Sequence, residues 1–429
     1  MLCRLLEKII HSKVTHHLLK NNLINKEQHG FITKRSTLSQ QLNLLDKITD
    51  NFDHNLQTEL LYLDFSKAFD RVSHQKLLYI LPHYKINPII INWLQDYLTC
   101  RQQKTVIDGH SSNTCYITSG VPQGSVLGPL LFVIYVYQLI TELKNKCSNI
   151  HIFGFADDVK LLSSDPNSLQ DALDIVSNWT YNWQLPIQPL KSEHITFRRG
   201  QSQTPKFQIN NNYFITVDTV KDLGLYITDT LKWTQNITNI SSKANYLTYN
   251  ILKTFNTPDI NLYILLYKTY IRPIVEYNTS IWTPHLITEI RQIEAVQKRF
   301  TRKLCQKLNI SFKDYKHRLG LLNIESLEYR RIKFDLILLY KIFNNLIDVD
   351  FNQLFKLSEV TDKYNLRRHV LHLQKPKFAK TSIRNNFFSY RIINIWNRLP
   401  EVCVCSPTLA VFKKNLNSTN LYCVHNFVF

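Results

Sequence analysis

Three aspartates close apolar runs in this chain. Ile152-Phe153-Gly154-Phe155-Ala156-Asp157-Asp158-Val159-Lys160-Leu161-Leu162 leads apolar residues into two adjacent carboxylates and out again, and Glu59-Leu60-Leu61-Tyr62-Leu63-Asp64-Phe65 is a second apolar run ending in aspartate. The spacing predicts a strand, a tight turn and a strand for the first, and one strand for the second. Turns accept Asp readily, so a plain Asp-Asp hairpin tip is the competing reading. Buried strands that each end in carboxylate are costly to leave uncompensated, and a divalent cation is the simplest compensation. With few His or Cys nearby in sequence, the donor set selects Mg²⁺ or Mn²⁺ over zinc. If the Glu59–Phe65 strand lies beside the Ile152–Leu162 hairpin, Asp64, Asp157 and Asp158 meet. Two ions about 3.5–4 Å apart can then clamp an attacking hydroxyl and a leaving phosphate, the apparatus of nucleotidyl transfer.

Such a site needs a nucleotide beside it. Gly120-Val121-Pro122-Gln123-Gly124-Ser125 is a turn where backbone can approach a nucleotide closely, and Gln123 could hydrogen-bond it or its template partner. Phe69, five residues past Asp64, is spaced to clash with a 2′-hydroxyl. Taken alone it reads more simply as an ordinary core aromatic.

The elements that must position these residues are legible. Helical spacing runs over Leu2–Asn22, Thr37–Asn51 and Ile89–Leu98, with Asp70 and Ser73 as caps for a helix through Leu81. A hairpin is expected around Asp108-Gly109, a buried helix over Gly128–Ile140, and an amphipathic helix over Leu169–Gln184. Strands follow near His194–Arg198 and Leu223–Ile227, with a hairpin around Asn210-Asn211-Asn212. From about Trp233 the pattern is helical: Ser241–Phe255, Ile260–Tyr277, Glu289–Leu308 and Leu327–Asn345. The expected class is therefore α+β, with a boundary near Trp233 and a softer one near Ser311.

Composition narrows the function classes. The chain has 429 residues, 44% of them hydrophobic and 12% aromatic, which suits packed domains and not disorder. Its net charge is +19, and Arg291 to Phe429, with 25 basic and 10 acidic residues, supplies +15 of it. That asymmetry suits a polyanion partner, nucleic acid ahead of an acidic membrane, with a solvated surface as the alternative. Lys298-Arg299, Arg302-Lys303, Arg330-Arg331 and Arg367-Arg368-His369 are interleaved with aromatics and could track a nucleic-acid strand. The apolar run at Gly128–Ile140 is too short for a membrane span of about 20 residues. The first ten residues carry Arg4, Glu7 and Lys8 and no secretory core. None of the eight cysteines forms a C-x-x-C pair, and Cys403, Cys405, Cys423 and His425 do not have the spacing of common zinc modules. A reducing, intracellular compartment and free thiols are expected.

Several blocks together resemble one family. Tyr62 to Val72, Ser119 to Pro129 and Phe155-Ala156-Asp157-Asp158 are similar to the three central blocks of a reverse transcriptase, in order and at familiar separations. The version resembles LINE-type, non-LTR retrotransposons of the jockey-like kind. Gln28-His29-Gly30-Phe31 with Ser36-Thr37 looks like the preceding fingers block, Leu190-Lys191-Ser192 like the block after the aspartates, and Lys221-Asp222-Leu223-Gly224 like the primer-grip region. Phe388 to Arg391, Trp396 to Pro400 and Phe412-Lys413 match the family's tail. The resemblance implies a right-hand polymerase: fingers and palm over residues 1–232, a helical thumb over 233–310 and a basic C-terminal domain over 311–429. It implies RNA-directed DNA polymerase activity, adding deoxynucleotides to a DNA 3′-hydroxyl on an RNA template with two Mg²⁺ or Mn²⁺ ions, in a nuclear or cytoplasmic ribonucleoprotein. Carried over residue by residue, Asp64, Asp157 and Asp158 are the metal ligands, with the Phe65 carbonyl joining them. Phe69 is the sugar gate, Gln123 and Gly124 line the nucleotide pocket, and Lys191 sits near the triphosphate. Lys34, Arg35, Leu223 and Gly224 contact template or primer, and Asp70 caps a helix. Some positions depart from the pattern: Ile32 stands where an arginine is expected, and Gln188 where an asparagine is usual. An upstream fingers segment and an endonuclease domain are not found before Met1, which leaves open a truncated, inactive element remnant that only binds nucleic acid.

Overall fold

The computed structural model describes residues 2–200, 203–358, 369–376 and 379–428. Its contacts divide the chain into two compact units, the first formed by residues 1–40 and 56–218 and the second by 41–55 and 219–429. In chain order the main elements are α1 (Leu2–Lys20), α2 (Thr37–Asp53), β1 (Thr58–Leu63), α3 (Gly128–Lys146), β2 (His151–Phe155), β3 (Asp158–Ser163), α4 (Pro166–Trp183), β4 (Glu193–Phe197) and β5 (Ile215–Thr216). They continue with β6 (Thr219–Asp222), β7 (Leu225–Thr228), α5 (Thr234–Thr254), α6 (Ile287–Lys307) and α7 (Leu327–Phe343). The expected α+β class is observed.

The first unit is built on one five-stranded sheet in the order β5-β4-β1-β3-β2. All neighbours are antiparallel except β5 and β4. The central strand, β1, pairs Leu63 with Val159 on β3 and Tyr62 with Glu193 on β4. Side chains alternate across a strand. Leu61 and Leu63 of β1 therefore share a core with Val159 and Leu161 of β3 and with α3 and α4. Helix α3 is apolar almost all round because it is buried almost all round, from Leu130 to Val136 without a break. Helix α4 starts where Asp165 accepts hydrogen bonds from the N–H groups of Asn167 and Ser168.

The central strand also carries a polar contact. Glu59 and His194 are buried, and the Glu59 carboxylate lies 2.7 Å from His194 Nε2 and accepts from the Thr196 hydroxyl at 2.7 Å. A buried carboxylate is tolerable only when its oxygens are partnered in this way.

The second unit has a two-stranded hairpin, β6-β7, and is otherwise helical among its described residues. The expected Leu223–Ile227 strand is instead a turn and a strand. Leu223 and Gly224 form the tip, with φ of 42° and 90°, and β7 starts at Leu225. The expected Ile260–Tyr277 helix is interrupted by a π-helical turn over Tyr267–Ile271, just before Pro273, whose ring cannot accommodate the regular helical hydrogen bond. Helices α5 and α6 pack side by side in this unit.

Candidate active site and family membership

The β2-β3 hairpin turns on two residues, Ala156 and Asp157, between the paired Phe155 and Asp158. Ala156 has a φ of 57°, the left-handed value that tight hairpin turns demand. Alanine has no polar group with which to hold that conformation, so the holding comes from elsewhere. Residues 27–30 lie along β2 as a short parallel bridge. Gly154 N–H donates to the Glu27 carbonyl at 2.9 Å, and His29 N–H to the Gly154 carbonyl at 2.8 Å. The buried Gln28 amide then grips the turn. Its Oε1 accepts from Ala156 N–H and Gly30 N–H, both at 2.8 Å, and its Nε2 donates to the Ala156 carbonyl at 3.1 Å. Gly30 packs so closely that a Cβ there would lie 2.2 Å from the Ala156 nitrogen.

Asp64 is the residue after β1. Beyond it the chain leaves the hairpin and pairs with residues 186–188: Ser66 N–H donates to the Pro186 carbonyl at 2.9 Å, and Gln188 N–H to the Asp64 carbonyl at 2.8 Å. These bonds use the residues flanking Phe65, whose ring packs edge-on to Trp179. Asp64 and Asp157 are both half-buried. Burial, opposed in part by its own backbone N–H, pushes the Asp157 carboxyl above the ordinary carboxylate range, and the Asp64 charge pushes it further. A carboxylate raised by burial and by a like-charged neighbour in a partly dry site suits an oxygen-seeking divalent cation.

Asp158 differs. It is the exposed first residue of β3, opposite Phe155. Among the described residues no three His, Cys, Asp or Glu side chains are grouped so as to hold a metal ion. The structure thus brings two of the three expected aspartates together, not three.

Phe69 sits on a short 3₁₀ turn, Ala68–Arg71, after Asp64. Its ring stacks on Phe132 of α3 with centroids 4.5 Å apart and meets Phe31 edge-on at 6.3 Å, while part of it stays exposed. It is a fixed aromatic wall and not a fully buried core residue. The glycine turn is sewn to the same 3₁₀ turn. Gly120 N–H donates to Val72, Val121 N–H to Phe69, and the Ser119 hydroxyl to the Asp70 carbonyl. Gly120 has a φ of 89°, and a Cβ on it would come within 2.7 Å of the Asp70 carbonyl oxygen. Asp70 does not cap the following helix. Its carboxylate accepts from Gln123 Nε2 at 2.8 Å, which orients the glutamine. Gly124 faces open space, and a cleft of about 600 Å³ runs between Lys67, Asp70, Arg101, Gln103, Gly120 and Gln123.

The remaining expected residues are dispersed. Lys191 is exposed on the 3₁₀ turn Pro189–Lys191 that leads into β4. Lys34 is exposed with a φ of 66°. Arg35 is not directed to a template: its Nη1 donates to the carbonyls of Asn25 and Gln28 at 2.6 Å each, bracing the loop that grips Ala156. Ile32, at the position of an expected arginine, is buried in the core. In the second unit, the Leu223 carbonyl accepts from the Tyr277 hydroxyl at 2.9 Å, and that ring closes against Gly224. Of the basic pairs, Arg331 is buried and Arg330 is bound to Glu276, so the two do not form an exposed basic track. Arg367 and Arg368 lie outside the described residues. Gln28 carries no sequence signal of its role, because its partner is 128 residues away.

A family profile described as reverse transcriptase (RNA-dependent DNA polymerase) matches residues 1–251, more than half of the chain. The chain belongs to this family. Its relatives are mobile-element enzymes, as expected of a LINE-type, non-LTR reverse transcriptase. It is 25% identical over 319 residues to the RNA-directed DNA polymerase from mobile element jockey of Drosophila funebris, covering 70% of this chain and 34% of that protein. It is 24% identical over 308 residues to the probable RNA-directed DNA polymerase from transposon X-element of Drosophila melanogaster, with the same coverages of 70% and 34%. Against the Pol polyprotein from type-1 retrotransposable element R2 of Popillia japonica it is 27% identical over 259 residues, covering 56% of this chain and 41% of that one. The chain thus spans about a third of the length of the jockey and X-element proteins. Among solved structures, telomerase from Candida tropicalis in complex with a fragment of telomeric RNA superposes with a TM-score of 0.44 and 10% identity, over 96% of this chain and 56% of that one. Its apo form gives 0.43 and 12%, over 80% and 56%. No described helix is long and apolar enough to cross a membrane.

Proposed function

We propose that this chain is an RNA-directed DNA polymerase that adds deoxynucleotides to a DNA 3′-hydroxyl on an RNA template, releasing pyrophosphate. The observation that carries the reading is the placing of Asp64 and Asp157 at the ends of neighbouring strands, close enough that the Asp64 charge disfavours ionisation of Asp157. Family membership names the chemistry that such a pair serves. Asp64 and Asp157, with the Phe65 carbonyl, would hold two Mg²⁺ or Mn²⁺ ions, and Asp158 is an exposed neighbour. Bound ions supply charge neutralisation for the reacting hydroxyl and the leaving phosphate. The chain's own residues position the rest. Phe69, immobilised by Phe132, excludes a 2′-hydroxyl. Gln123, held by Asp70, and Gly124 border the nucleotide. In this reading Lys191 would contact the triphosphate, Lys34 the template, and the Leu223-Gly224 tip the primer.

In this reading fingers and palm extend over residues 1–232, the thumb over 233–310 and the basic C-terminal domain over 311–429. Thumb and C-terminal domain then both fall within the second compact unit. The enzyme would work in an intracellular ribonucleoprotein. Primer extension on an RNA template, with deoxynucleoside triphosphates and Mg²⁺, tests the proposal. The parent should extend and Asp157→Asn should lose at least about 100-fold. A parent that binds primer–template without extending it would refute polymerase activity, and an Asp157→Asn variant that extends equally well would refute the metal assignment.

A further inference from the structure

Arg331 of α7 is 2% exposed, and among the described residues its guanidinium has no hydrogen bond or ion pair. Its Nη1 is fully buried and without a partner. An arginine cannot shed its proton at physiological pH, so the charge is present. A buried, unpaired guanidinium is costly unless something completes it.

The neighbouring carboxylates do not complete it. Glu276, Glu294, Glu328 and Asp335 all lie near enough to act on the Arg331 charge. Each is engaged elsewhere. Glu276 is bound by Arg330. Glu294 accepts from the Tyr315 hydroxyl and from the N–H groups of Leu327 and Glu328 at 3.0 and 3.1 Å. Glu328 accepts from Val428 N–H at 3.0 Å. Asp335 is held by Arg391, whose Nε and Nη2 reach the same carboxylate oxygen at 3.0 and 2.9 Å. These carboxylates thus bond to other groups, except that Asp335 Oδ1, like Arg331 Nη1, is buried without a hydrogen-bond partner among the described residues.

Arg331 is one of the residues lining a cavity of about 470 Å³ within the second unit, within the size range of small-ligand pockets. Arg398 lines the same cavity and is exposed at its rim. His285, Asn386, Asn394 and His425 add polar edges. Three arginines and two carboxylates line it in all, and Arg391 already neutralises Asp335. An anion with several acceptor oxygens fits the arginines, and the asparagine and histidine side chains can hydrogen-bond a ring bearing donors and acceptors.

We propose that this cavity is a binding site for the phosphate group of a nucleotide, with Arg331 as the buried anion anchor and Arg398 as the rim contact. The site lies outside the residues proposed for polymerisation and stands whether or not that proposal does. The nucleotide could be free or part of a strand, and the probes separate these sources.

The test uses the full chain without divalent ions, at constant ionic strength. Thermal unfolding and titration calorimetry are measured with inorganic phosphate, with guanosine 5′-monophosphate and with a short single-stranded RNA, against chloride. The parent should melt higher with phosphate and higher still with the monophosphate. Arg331→Met should lose at least tenfold in affinity for both. Because Arg331 has no partner to strand, the variant should melt no lower than the parent in phosphate-free buffer. Should it fail to fold, that result itself counts against an unpaired arginine. The exposed Arg398→Met must then still weaken phosphate binding several-fold for the site to stand. RNA displacing the monophosphate at lower concentration than free nucleotide assigns the site to a strand, and failure to displace it assigns the site to free nucleotide. The absence of any phosphate-dependent shift in the parent, or an equal shift in Arg331→Met, overturns the proposal.

Discussion

Replacing Gln28 by methionine removes the amide that grips the aspartate turn while keeping its volume nearly unchanged. Three hydrogen bonds go at once: two accepted by Oε1 at 2.8 Å and one donated by Nε2 at 3.1 Å. The substitution leaves the N–H groups of Ala156 and Gly30 and the Ala156 carbonyl without these partners in a buried place. A stranded buried polar group costs about 1–3 kcal/mol. Three would sum to roughly 3–9 kcal/mol, but local relaxation and entering water satisfy part of it, so about 3–4 kcal/mol is expected. Urea unfolding of the first unit, followed by its tryptophan fluorescence, measures the loss. Amide exchange at Ala156 and Gly30 shows whether it is localised to the turn. Asp157 is the other residue of that turn, so primer extension should fall by about 10–100-fold, the usual consequence of displacing a catalytic group by an ångström. A stability loss below about 1 kcal/mol, with both amides still protected, would refute the claim that Gln28 holds the turn.

Other substitutions probe the neighbouring contacts. Gly30→Ala places a methyl 2.2 Å from the Ala156 nitrogen and must push the turn aside, so it should destabilise the first unit by at least about 2 kcal/mol in the same unfolding assay. Glu59→Ala strands buried His194 and Thr196 on the central strands and should lose about 3–5 kcal/mol, whereas Glu59→Gln should lose less. Phe69→Val removes the wall that stacks on Phe132 and should raise ribonucleotide incorporation relative to deoxynucleotide at least tenfold in single-nucleotide extension. The raised Asp157 carboxyl has a definite sign: the folded state holds its proton at pH values where the unfolded chain has released it. Stability therefore falls as pH rises from the unfolded carboxylate value through the folded one, and Asp157→Asn should melt higher than the parent at neutral pH without metal, with no such gain at acid pH. Mg²⁺ should raise the parent's melting point and leave that variant's unchanged.

Much of the site could be read from residue order because its parts are local. Apolar runs located β1, β2 and β3. The aspartates fall where those strands end, which is also where a turn or an open edge must be. Glycines at Gly120 and Gly124 marked a turn that only glycine's freedom allows. The motif blocks at Asp64, Gln123 and Asp157 carried the family. Local pattern also misled. The regular apolar spacing of Ile260–Tyr277 hid the π turn, and Leu223 looked like strand because nothing in its own type announces a left-handed φ.

Only tertiary structure decided which charges are free and which are occupied. Arg35, Arg330 and Arg331 look like one basic class in the sequence. Folding directs Arg35 to loop carbonyls, pairs Arg330 with Glu276, and buries Arg331 Nη1 without a partner among the described residues. It likewise turns Asp70 from a helix cap into the anchor of Gln123, and leaves Asp158 exposed while Asp64 and Asp157 meet. The physical reason is the same each time. Apolar period is a property of neighbouring residues and survives in one dimension. Electrostatic partnership depends on what lies within a few ångströms after folding, and for Gln28 and Ala156 that partner is 128 residues along the chain.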